Sequence, residues 1–176
     1  MGTPIIASKN TTRARTSYWA IPTLTESAPT LAEVNSASGL FIPGFLLSDQ
    51  ATPSMETSKV ELPRIMLETA TSEVLDSQKV TVPDFRFVWN PQATTGADDK
   101  KAWALFKAGF DGYLVRRGNR APAGSDLLVA NDFIDWFKVT SNEPMPTETS
   151  QDASGIYVFD VPFSCTRWKY DVQVTA

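Results

Sequence analysis

The sequence predicts a mainly β fold, a β-sandwich or barrel with one α-helix packed on its side. Three observations predict it. Apolar and polar residues alternate at period two along most of the chain, only two short stretches carry helical spacing, and turn-forming segments separate the rest. At 176 residues the chain suits one domain, residues 1–176, able to bury roughly two thirds of its unfolded surface. The turn-rich segments fall at 1–16, 48–58, 90–97, 118–126 and 141–154, each too short to be a domain linker.

The first strand is expected over residues 17–24. A helical turn over about 30–37 follows, because Thr30 stands three residues before Glu33, the spacing of a capping box. Further strands are expected at 39–47, 59–62 and 64–75. Between 78 and 89 the alternation changes phase. Val80 and Val82 set one parity and Phe85, Phe87 and Trp89 the other, with Pro83 and Asp84 at the slip, which predicts a bulge or bend.

The stretch ADDKKAWALFKAGFDGYLVRRG, residues 97–118, predicts a helix over about 98–108 and then a strand at 112–117. Trp103, Phe106 and Phe110 follow an i, i+3, i+7 stripe, the acids open the first turn, Lys107 lies near the end and Gly109 suits the C′ position. Asp98 and Asp99 point about 100° apart on such a helix, so they do not converge as a catalytic acid pair requires. This helix is expected to cover a sheet.

Residues 133–139 are apolar on both faces, which predicts a central strand or one covered by a partner subunit. Asp135 interrupts that pattern and would need a cation or amide partner if buried. Residues 156–164 place Tyr157, Phe159, Val161 and Phe163 on one face. In the last strand Trp168, Tyr170, Val172 and Val174 fall on one side, opposite Lys169, Asp171, Gln173 and Thr175.

Composition narrows function. The chain holds no histidine, which excludes Ser–His–Asp hydrolases, His-ligated zinc and histidine acid–base chemistry. Its one cysteine, Cys165, forms no intrachain disulfide or thiolate cluster and reads as a small apolar residue in FDVPFSCTRW. The glycines at 109, 112 and 118 follow a helix rather than precede one and lack a GK[ST], so they make no phosphate loop. Asp132 and Asp135, three apart, do not share a strand face. No catalytic, cofactor-binding or metal-binding residue is assigned, and no enzyme activity or small-molecule substrate is expected.

The longest apolar run, residues 40–47, is broken by Pro43 and Gly44 and is far too short to span a membrane. No secretory leader is visible, so synthesis in a reducing cytosol is expected. A net charge of −4 argues against a dedicated nucleic-acid binder. Charge is nonetheless uneven: Lys9, Arg13 and Arg15 stand without acids in residues 1–20, and Glu143, Glu148 and Asp152 without bases in 143–154. Such opposed segments can pair between copies of one chain, or remain two solvated loops. Arg116, Arg117 and Arg120 form a basic cluster at a strand end, suited to an acidic neighbouring surface, a phosphate backbone or solvent.

The order of these elements resembles the major tail tube proteins of long-tailed bacteriophages, particularly those of actinobacterial hosts. The stretches that carry the resemblance are TSYWAIPTL, PTLAEVNSASGL, FVWNPQ and DDKKAWALFKAGFDGYLVRRG. The resemblance implies a sandwich or barrel flanked by one helix, six copies closing into a ring, and rings stacking into a hollow tube that conducts DNA. By element order, residues 1–16 match the family's N-terminal arm and residues 43–63 its extended inter-ring loop. The implied partners are copies of the chain itself, a tape-measure protein and, transiently, DNA in the lumen. The implied location is the virion tail, after synthesis in the bacterial cytoplasm. Candidate interface residues are Arg13, Arg15, Arg116, Arg117, Glu143 and Glu148 for charge, and Trp19, Phe41, Phe45 and Trp136 as anchors. The alternatives are another virion component, such as a tail terminator, head–tail connector or decoration protein, and a carbohydrate- or receptor-binding sandwich using its tryptophans.

Overall fold

A computed structural model describes residues 16–42, 46, 52–61, 73–92, 94, 98–118, 127–148 and 157–176. Ten strands and two helices are built from them: β1 (Ser17–Ile21), α1 (Leu31–Val34), β2 (Leu40–Phe41), β3 (Ser54–Glu61), β4 (Glu73–Thr81), β5 (Phe85–Val88), α2 (Asp98–Lys107), β6 (Asp111–Arg117), β7 (Phe133–Ser141), β8 (Met145–Glu148), β9 (Tyr157–Val161) and β10 (Phe163–Gln173). The strands form a five-stranded sheet ordered β10-β7-β6-β1-β2, a three-stranded sheet ordered β5-β9-β8 and a two-stranded ribbon β3-β4. All pairings between these strands are antiparallel.

The five-stranded sheet is the middle layer. Its central strands are apolar at both parities, because each face meets its own core. Tyr18, Ala20, Leu114, Phe137 and Val139 face the first core, which the three-stranded sheet and α2 close with Phe85, Phe87, Phe159, Phe106 and Phe110. Trp19, Ile21, Tyr113, Val115, Ile134 and Trp136 face the second, closed by Leu24, Val34, Leu128, Val172 and Val174. The expectation that residues 133–139 lie centrally holds: β7 sits between β10 and β6.

The helices match the sequence reading. Thr30 caps α1 reciprocally, its backbone N–H donating to Glu33 Oε2 at 2.9 Å while Glu33 N–H donates to Thr30 Oγ1 at 3.4 Å. In α2, Phe106 is buried and Trp103 stacks on Trp89 at 4.2 Å between ring centroids. Gly109 ends it with φ 82°, and its N–H donates to Phe106 O. Three residues on, a Cβ at Gly112 would lie 2.6 Å from Ile21 O and 2.7 Å from the Phe110 ring, so the packing of β6 on β1 there demands glycine.

Several boundaries differ from expectation. Of the bulge or bend expected in residues 78–89 the structure has the bend, but it parts two strands: Pro83 and Asp84 form a corner, with Val80 on the ribbon and Phe85 in the three-stranded sheet. Residues 156–164 likewise break at Pro162, sending β9 and β10 to different sheets. Proline cannot donate to a ladder, and both corners use that. Phe159, Val161 and Phe163 still share the first core because the two sheets face one another across it.

Of the strand expected at 39–47, the described residues show β2 and a bridge from Leu46 to Phe87; positions 43–45 and 47 lie outside the described residues. Residues 54–58 and 145–148, read as turn-rich, are strand, because pairing to a neighbour overrides their low β-propensity. The strands expected at 59–62 and 64–75 are described only as parts of β3 and β4. Finally, the last strand does not keep one dry face. Register shifts between Cys165 and Arg167 and between Lys169 and Val172 re-aim it, so Trp168 packs on the first core and Val172 and Val174 on the second.

Candidate subunit interface

The charged candidates of the middle sheet are paired within the chain. Arg116 and Asp135 stand opposite one another on β6 and β7, and Arg116 Nε and Nη2 donate to Asp135 Oδ2 at 2.9 and 2.7 Å. Asp135 Oδ1 accepts from Asp171 N–H at 3.0 Å, so this carboxylate has both the cation and the amide it needs. Burial opposes the Arg116 charge, but the hydrogen bond and charge of Asp135 outweigh it and raise its pKa. Next to it, Arg117 points to the opposite face. Its Nη1 donates to Asp132 Oδ2 and to Leu127 O, both at 3.2 Å, and its guanidinium lies 5.1 Å above the Trp19 ring. Alternation along β6 therefore splits the predicted basic cluster between two faces; Arg120 lies outside the described residues.

Trp19 and Trp136 are 4% and 3% exposed. Trp136 Nε1 donates to Glu26 O at 3.2 Å and its ring meets Tyr113 edge-on. As interface anchors these two could add only the little surface they still expose. Phe41 is half-buried, its ring tilted against Trp19 at 5.4 Å. Glu143 is exposed, and the backbone of Glu148 pairs with Tyr157. Arg13, Arg15 and Phe45 lie outside the described residues, as does the side chain of Glu148.

Cys165 is half-buried, and burial raises its thiol pKa, which keeps it a poor nucleophile. Burial, first, and then the hydrogen bond to Glu26 raise the Tyr113 pKa. Glu26 in turn accepts from Tyr113 Oη at 3.0 Å and from Arg167 Nη1 at 2.9 Å, pinning the segment after β1 across the sheet.

Among the described residues, two kinds of exposed surface stand out. One is the β3-β4 ribbon, exposed along 54–60 on one strand and 76–79 on the other. Within it Ser58 Oγ lies 2.8 Å from Ser77 Oγ, and Glu56 stands opposite Lys79. A two-stranded ribbon is marginal in water without a covering layer. The other kind is a set of large apolar side chains at the surface: Met55, Leu127, Phe133, Met145 and Tyr157 are each at least half exposed. Sequence patterning missed this set. It groups Phe133 with Phe137 on one strand face and carries no signal of where the covering layer stops.

A middle sheet with a core on each face, a ribbon exposed along most of its length and charges paired within the chain define a β-sandwich scaffold. A sequence model of the family described as phage tail tube protein matches residues 3–176, and the chain belongs to that family. It is a structural protein of the virion tail and self-assembles into a tube. No curated protein matches the chain. Among solved structures, a chain of the "Cryo-EM structure of the anti-feeding prophage (AFP) baseplate, 6-fold symmetrised" is similar with a TM-score of 0.54. The likeness covers 96% of each chain at 5% identity and is one of fold.

Proposed function

We propose that six copies of the chain close into a ring, that rings stack into a hollow tube, and that the tube conducts phage DNA into the host. The match of the tail tube family over residues 3–176 carries this reading. The six-fold symmetrised assembly that contains a similar fold supports six as the copy number. A closed ring needs two different complementary lateral patches, and stacking needs a further pair.

The free-standing ribbon is the stacking element. Its first strand occupies the distal part of segment 43–63, the position of the family's inter-ring loop. Residues 1–16 serve as the arm. Arg13 and Arg15 on the arm meet Glu143 and Glu148 of a neighbouring copy and set register. A tape-measure protein fills the lumen before DNA does, and a chain of net charge −4 lets DNA slide rather than adhere.

Negative-stain electron microscopy of the purified chain tests this. Hollow tubes whose end-on views average with six-fold symmetry are expected. Rings that never stack would favour a different ring-forming virion component, and end-on views of another symmetry would overturn the copy number.

A further inference from the structure

From its rigidity, apolarity and internally neutralised border, we infer that the turn at residues 129–132, with Leu127, Val129 and Phe133 around it, is a docking surface for a second copy of this chain. The inference rests on the tube reading and adds to it the surface through which copies meet. Leu127 is 55% exposed, Val129 42% and Phe133 55%. Leu128 between the first two is buried, so burial alternates along the segment and leaves Leu127 and Val129 outermost.

The surface is rigid. Asp132 N–H donates to Val129 O at 3.1 Å, and Val129 N–H donates to Asp132 Oδ2 at 3.0 Å, closing the turn. Asn131 N–H donates to Val174 O and Val174 N–H to Asp132 O, both at 2.9 Å, which ties the turn to the C-terminal strand. On the other side, the Asn35 side chain bonds both the N–H and the C=O of Leu128 at 2.9 Å. A backbone already tied in place loses little further entropy on docking, whatever the side chains on it do.

The neighbouring charges favour the same conclusion. Asp132 is held by Arg117, and Asp135, two residues past Phe133, by Arg116. Covering the turn therefore strands no unpaired charge, and this is what the centre of a protein interface requires. The two arginines that border it are already held by carboxylates, so phosphate would have to displace them. A partner must instead bring apolar surface. The chain itself carries such surface elsewhere, Met55 and Val60 on the ribbon and Met145 and Tyr157 on the three-stranded sheet, so a head-to-tail copy supplies the complement.

The experiment uses full-length Phe133→Asp and Leu127→Asp beside the wild type, with sedimentation velocity and negative-stain microscopy for assembly and thermal melts of the monomer for folding. The wild type is expected to form tubes. Both variants are expected to melt like the wild type and to lose assembly at least about tenfold at equal concentration, since a desolvated unpaired carboxylate cannot be accommodated. If Phe133→Asp perturbs the melt, Leu127→Asp decides. Variants that fold and assemble like the wild type overturn this inference and leave the tube reading standing. A wild type that never assembles overturns both.

Discussion

Asp171 holds φ 56°, a left-handed backbone that non-glycine residues pay for, at the bulge that turns β10 from one core to the other. Its N–H bond to Asp135 Oδ1 holds it there. Asp171→Val should lose about 1–3 kcal/mol, and Asp171→Gly should stay within about 1 kcal/mol of the wild type, both read by urea denaturation. The Arg117–Asp132 pair lies within the second core's rim, with side-chain exposures of 5% and 12%, and Arg117 Nε is buried without a partner. Asp132→Ala should cost about 3 kcal/mol because it strands a buried cation, whereas Arg117→Met combined with Asp132→Leu should cost less than Asp132→Ala alone. At this scale the sequence was only partly legible. It required a partner for Asp135 and the structure supplies Arg116, but two adjacent arginines gave no hint that their side chains serve opposite faces and separate carboxylates.

Among the elements, α1 is the most exposed to test, because four residues depend on one cap. Thr30→Ala should cost about 1 kcal/mol in the same assay. The hydrogen bond from Thr25 and then that from the Thr30 backbone lower the Glu33 pKa. A carboxylate with a depressed folded pKa adds stability above its unfolded pKa and loses it as pH falls through the folded one. Amide protection of α1 should therefore hold at neutral pH and decline in the acid range below the ordinary carboxylate pKa, and Glu33→Gln should flatten that dependence. In α2, Phe106→Ala should cost about 3–5 kcal/mol, since its ring meets Phe87, Phe110 and Phe163 inside the first core. Both helices were legible because their caps and stripes are local signals. The phase change at Pro83 was legible as a break, but whether the chain then bends within one sheet or crosses to another is decided by distant pairing, as at Pro162.

At the scale of the molecule, the described residues form two apolar cores and still leave Leu127, Phe133, Met145 and Tyr157 at least half exposed. Trp19 and Trp136, candidate anchors by sequence, are largely covered within the single chain, because sequence does not distinguish surface that the chain covers itself from surface left for a partner. The charge pattern is testable at this scale. Reversing Arg13 and Arg15 to Glu should slow tube growth in light scattering, and adding Glu143→Lys with Glu148→Lys should restore it if arm and loop meet between copies. Tube formation requires self-burial of exposed structure, and hydrogen exchange on monomer and assembled particle measures that burial directly. Amides of the β3-β4 ribbon and of the 127–133 segment should exchange markedly more slowly in the particle than in the monomer. Equal exchange in both segments before and after assembly would contradict it.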